Sequence, residues 1–113
     1  MLLMLDCTVS VNTLKLIMIV SFGDRATEDL FHGVRSNRVK RFPPNILEAA
    51  VLKLDVLNAA QSLDDLRSPP GNRLEALRGN LKGFYSIRIN NQWRIIFRWQ
   101  ASDAHEVRIV DYH

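Results

Sequence analysis

Two stretches in the second half of the chain alternate apolar and polar residues at period two, the spacing of a β-strand with one buried face. In FYSIRIN, Tyr85, Ile87 and Ile89 fall on one face, and Phe84, Ser86, Arg88 and Asn90 on the other. In QWRIIFRWQ, Trp93, Ile95, Phe97 and Trp99 share a face, leaving Arg94, Ile96 and Arg98 opposite. Keeping both apolar faces on the same side fixes a register in which Ile89 opposes Trp93 and Ile87 opposes Ile95. Asn90-Asn91-Gln92 is then a three-residue loop. A two-residue Asn-Asn turn would instead bury Arg94 beside Ile87, at a cost of several kcal/mol for an unpaired charge. In the final strand, HEVRIVDYH, Val107 and Ile109 continue the apolar face, while Arg108, Val110 and Tyr112 join the side of Arg88, Arg94 and Arg98. RLEALR, residues 73–78, reads as one more strand before the hairpin.

The first half of the chain has helical spacing. A strand over Ile17–Phe22 is followed by the turn Gly23-Asp24, where Asp24 can cap a short helix running to Gly33. Residues 35–42 are polar and basic, and predict a connection. After Pro43-Pro44, Asn45 and Glu48 have the spacing of a capping box. Leu47, Ala50, Val51, Leu54 and Leu57 then recur at three and four residues, the stripe of a core-facing helix. Ser68-Pro69-Pro70-Gly71-Asn72 ends the helical half. The expected fold is α+β: two N-terminal helices on one face of a mainly antiparallel twisted sheet, with the opposite face exposed and basic.

At 113 residues, with 47% apolar and 24% charged residues, the chain has the length and balance of one globular domain. Cys7 is the single cysteine, which excludes a disulfide framework. The apolar N-terminus lacks a basic leading region and is interrupted by Asp6, so it fits neither a signal peptide nor a membrane span. Residues 1–17 are expected to be an N-terminal extension and 18–113 a single domain, in a cytoplasmic protein that does not engage a membrane. Net charge is +3, but it is unevenly spread. Arg67, Arg73, Arg78, Lys82, Arg88, Arg94 and Arg98 face one acid, Glu75, within residues 67–98. That segment carries +6 and the remaining chain −3, a distribution suited to a polyanion. Guanidinium is also the better fork for phosphate oxygens.

No Gly-rich phosphate loop, HExxH motif or paired-cysteine spacing is present, so no cofactor or metal is expected. His32 and His105 read as surface residues. RNA cleavage needs none of these, because the 2′-hydroxyl is itself the nucleophile. The protein must move two protons and stabilise a charged phosphorane. His113 can titrate near neutrality, Asp111 and Glu75 are candidate bases, and Arg78 and Arg94 are candidate clamps. Arg73, Lys82, Arg88, Arg98 and Arg108 are candidate RNA contacts.

RLEALRGNLKGFYSIRINNQWRIIFRW followed by a terminal VDYH resembles the HigB branch of the RelE-like bacterial toxins, the plasmid maintenance killer proteins. The resemblance runs from about Met18 to His113. It rests on L-x-x-L-[KR]-G, an aromatic-Ser-Ile strand, N-x-W-R-I-x-F and the DYH ending, in this order and spacing. It implies a microbial-ribonuclease-like fold and a metal-independent endonuclease that cuts message on translating ribosomes. It also implies a cognate helix-turn-helix, HigA-like antitoxin, with operator DNA reached only through that partner. By the same resemblance, Asp111 and His113 transfer protons, Tyr112 positions a base or phosphate, and Arg78 and Arg94 stabilise the phosphorane. Some members have His where this chain has Glu75, which implies a working but milder nuclease that leans on His113. Two alternatives are a non-catalytic module that blocks translation by binding the ribosome and a co-repressor of a DNA-binding antitoxin.

Overall fold

The computed structural model describes residues 19–112. The expectations for residues 1–18 (extension, Cys7, start of the first strand) and for His113 lie outside these residues. Helix α1, Arg25–Phe31, is capped by Asp24, whose carboxylate accepts the Thr27 N–H at 2.8 Å. Helix α2, Leu47–Ala59, follows a 3-10 turn over Pro44–Ile46. The expected Asn45/Glu48 capping box does not form. The 3-10 turn moves the helix start to Leu47, behind Ile46, which has no polar side chain to offer.

Four strands make an antiparallel sheet in sequence order: β1 Glu75–Ala76, β2 Phe84–Arg88, β3 Trp93–Gln100 and β4 Asp103–Asp111. Ile87 pairs with Ile95, and the Ile89 N–H donates to the Trp93 carbonyl at 2.9 Å, which leaves the anticipated three-residue loop. Asn90 Oδ1 closes that loop by accepting the Gln92 and Trp93 N–H groups. RLEALR contributes only two ladder residues. Arg73 is left-handed at φ 47° on one side, and a 3-10 turn begins at Gly79, φ 64°, on the other. The first strand also shrinks, to isolated parallel bridges from Ile19 to Ala104 and from Phe22 to Val107. These cover the outer edge of β4, which would otherwise present unpaired backbone.

One sheet face meets the helices. Ala50, Leu54 and Leu57 of α2 form one buried cluster with Ile87, Ile95, Phe97, Val107 and Ile109, as the α2 stripe and the strand alternation predict. Inside this layer the Ile109 N–H donates to Thr27 Oγ1 at 2.9 Å, tying β4 to α1. The opposite face is not the open basic surface anticipated. Leu77, Phe84 and Ile96 are buried there, with Leu81, Val110 and Tyr112 packed against them. The apolar members of the second strand faces thus find each other, and the arginines between them are drawn into contacts.

Candidate functional site

Arg94 lies at the centre of this second face and is 9% exposed. Its Nη2 donates to the Arg73 carbonyl at 2.6 Å, its Nη1 pairs with Glu75 Oε1 at 3.3 Å, and its Cζ sits 5.4 Å from the Tyr112 ring centre. The buried Nε finds no acceptor among the described residues. Each partner is delivered by a local feature. The left-handed turn at Arg73 aims its carbonyl inward, the β1–β2 ladder sets Glu75 opposite Ser86, and β4 runs on to carry Tyr112 over the guanidinium. The turn itself is held by Asn72, fully buried, whose Nδ2 donates to the Leu66 and Ser68 carbonyls at 3.1 and 3.3 Å.

Arg88 is the cross-strand neighbour of Arg94 on the same face. Two guanidiniums so placed repel, and they diverge: Arg94 turns toward Glu75, and Arg88 toward the loop, where its Nη2 donates to Asn91 Oδ1. Between them opens a cleft of about 350 Å³ lined by Arg73, Arg88, Asn90, Asn91, Arg94 and Tyr112. Three cations and no acid line it, so a polyanion meets an attractive field at its mouth.

The other candidate residues are distributed differently. Arg78 is exposed in the turn before Gly79, and Lys82 is exposed beyond it; neither lines the cleft. Arg98 is occupied by Glu106, at 3.0 Å, and lies 4.3 Å from the Phe84 ring centre. Glu106 reaches it because a bulge in β4, where Glu106 has φ 53°, turns this extra residue to the arginine side. Arg108 packs toward Gly23, where an added Cβ would meet its Cδ at 3.0 Å. Asp111 pairs with Trp93, so strand alternation sets it on the helix side of the sheet, where its Oδ2 accepts Gln92 Nε2 at 3.1 Å. It lies opposite the arginine surface, because Tyr112 takes that side. Asn90 and Asn91, read from sequence as mere turn residues, enter the cleft lining instead. The Tyr112 N–H donates to the Gln92 carbonyl at 2.6 Å and keeps the end of β4 against the hairpin tip.

The described residues contain no group of three His, Cys, Asp or Glu side chains arranged to hold a metal. They contain no helix long and apolar enough to cross a membrane.

The fold is similar to the YoeB dimer structure from Staphylococcus aureus, with 21% identity, a TM-score of 0.52, and coverage of 87% of this chain and 98% of that one. Residues 20–113 match the HigB-like toxin family, the RelE-like toxin HigB of type II toxin-antitoxin systems, and the chain belongs to that family. It is 46% identical to Toxin HigB-1 of Vibrio cholerae over 82 residues, 73% of this chain and 84% of that protein. It is also 29% identical to Endoribonuclease HigB of Proteus vulgaris over 97 residues, 85% of this chain and 100% of that protein.

Proposed function

We propose that this toxin is a metal-independent endoribonuclease that cuts message on translating ribosomes, using the RNA 2′-hydroxyl as nucleophile. The observation that carries the reading is the arginine cleft beside Tyr112, one residue from the C-terminal imidazole. The relative named as an endoribonuclease, matched over its whole length, supports it. His113 and Glu75 transfer the two protons: one leaves the 2′-hydroxyl as it attacks phosphorus, and one reaches the departing 5′-oxygen. Tyr112 positions the phosphate, and the cleft cations neutralise the phosphorane. Asp111, hydrogen-bonded to Gln92, orients the tail rather than touching the reacting atoms. Glu75 already pairs with Arg94, so His113 carries the larger share of proton transfer. A cognate HigA-like helix-turn-helix antitoxin neutralises the toxin in the cytoplasm and links it to operator DNA.

Brief expression in bacteria without an antitoxin, followed by mapping of message 5′ ends, tests this. Cuts inside coding regions are expected, with His113→Gln reducing them at least about a hundredfold, the scale of one general acid–base group, while the melting temperature is unchanged. Arrested growth with intact messages would instead indicate occupation of the ribosome without cleavage, and would contradict the nuclease reading.

A further inference from the structure

The stretch Ser68-Pro69-Pro70-Gly71-Asn72, which ends the helical half of the chain, closes on a fully buried amide. Asn72 Nδ2 donates to the Leu66 and Ser68 carbonyls, and its Oδ1 accepts the Nζ of Lys53 from α2. A carbonyl can only accept and an ammonium can only donate, so these three partners admit one orientation of the amide. Aspartate would aim an oxygen at two carbonyls, and leucine would leave all three groups without a partner. The N–H groups of Asn72 and Arg73 donate to the Pro69 and Pro70 carbonyls at 2.9 and 3.1 Å, and the chain turns through Arg73 at φ 47° and ψ 55°. A left-handed backbone is unfavourable for a residue with a side chain, so the contacts around Asn72 are what hold it there. The Arg73 carbonyl so directed accepts Arg94 Nη2 at 2.6 Å, while Arg94 Nη1 meets Glu75 at 3.3 Å. Each Nη keeps a second N–H, and Arg94 lines the cleft.

On the reading that this cleft cleaves RNA, we propose that Asn72 is a positioning residue for the reaction. It holds the Arg73 turn that aims the Arg94 guanidinium at the phosphorane, and Lys53 in turn holds Asn72. A guanidinium is a planar fork, so its free N–H groups point where its plane points. Fixing one Nη on a backbone carbonyl sets that plane before substrate arrives, which is the preorganisation an electrostatic clamp requires. Support thus passes from the helix layer to the cleft in three steps: Lys53 to Asn72, Asn72 to the Arg73 backbone, and that backbone to Arg94. Asn72 does not line the cleft, and its effect on the chemistry runs through Arg94.

Asn72→Asp keeps the size of the side chain and the acceptor for Lys53, and removes only the Nδ2 donor. In cleavage on programmed ribosomes it should lower kcat roughly ten- to a hundredfold, the scale of a misplaced catalytic group, and change KM less. That loss should largely vanish in an Arg94→Lys background, where no Nη bridge is left to misdirect. Side-chain NMR reads the same link without substrate: the Arg94 Nη protons, distinct in the wild type, should merge into one averaged signal in Asn72→Asp. Ile46→Val, a change in the helix-side core, controls for lost stability and should spare both kcat and these signals. Should Asn72→Asp fail to fold, Lys53→Met removes the outer contact alone and should move both readouts the same way by a smaller amount. Wild-type kcat or unmoved Arg94 signals in the folded variant overturn the inference. So does a loss that adds in full to that of Arg94→Lys, or an equal loss in Ile46→Val. A wild-type toxin that cuts no message, with Arg94 signals that still merge in Asn72→Asp, would uphold the link to Arg94 while removing the nuclease reading.

Discussion

Arg94 shows how a cation on a sheet can be structural. Its desolvation is tolerated because a carbonyl, a carboxylate and an aromatic face surround it. Arg94→Ala strips the Arg73 carbonyl of its donor and leaves Tyr112 unsupported, so a loss of roughly 1–3 kcal/mol is expected in urea unfolding. Glu75→Gln should cost under about 1 kcal/mol, because Glu75 is 55% exposed and its share of the pair is screened by water. The sequence made Arg94 legible as a polar-face residue but not as a buried one. A signal was present in Phe84, Ile96 and Val110, apolar residues interleaved with the arginines on that same face. Strands with apolar positions on both sides are those covered on both sides. Asp111 and Tyr112 were separable by the same alternation, because the pleat of β4 sends them to opposite faces.

Among the elements, the β2–β3 hairpin was the most legible, because the cost of burying a charge selects one register and one loop length. Helix α1 and its Asp24 cap were legible too, from a turn followed by an apolar period. The β4 bulge was not. A single extra residue leaves no trace in alternation until a pairing partner is known, yet it creates the Arg98–Glu106 contact. The connection after α1 carries a pH-sensitive tie. Asp29 Oδ2 accepts Ser36 Oγ at 2.7 Å and Arg38 Nη1 at 3.1 Å. The Ser36 hydroxyl lowers this carboxyl most; burial, the next effect in size, opposes it, and Arg38 and Arg25 add to the lowering, so the carboxyl lies below its usual range. A carboxyl with a depressed folded-state pKa adds stability that is present above its unfolded pKa and is lost as pH falls through the folded value. Asp29→Asn should therefore flatten the acid side of the stability–pH curve, measured by urea unfolding at successive pH values, and leave the shape near neutrality unchanged. An acid limb as steep as wild type would remove Asp29 from the account.

At the scale of the whole molecule, the sheet divides its labour between two faces. The helix side is a continuous apolar cluster that carries the fold, while the other side combines a small apolar patch with an arginine cleft. Chemistry confined to the second face can vary without disturbing the first. Membership of the HigB-like family fits that division, since the residues matched run from the edge of the sheet through the end of the chain. Overall architecture was readable from period and phase alone. What the second face does was only partly readable, because it depends on which arginines turn inward. The most direct test is a reconstitution with purified toxin, in which one message is offered either free or in the decoding site of assembled ribosomes. Cleavage of the ribosome-bound message, with the free message spared and a chelator without effect, is the predicted result. Bound message that stays whole, or free message cut equally well, would contradict the account.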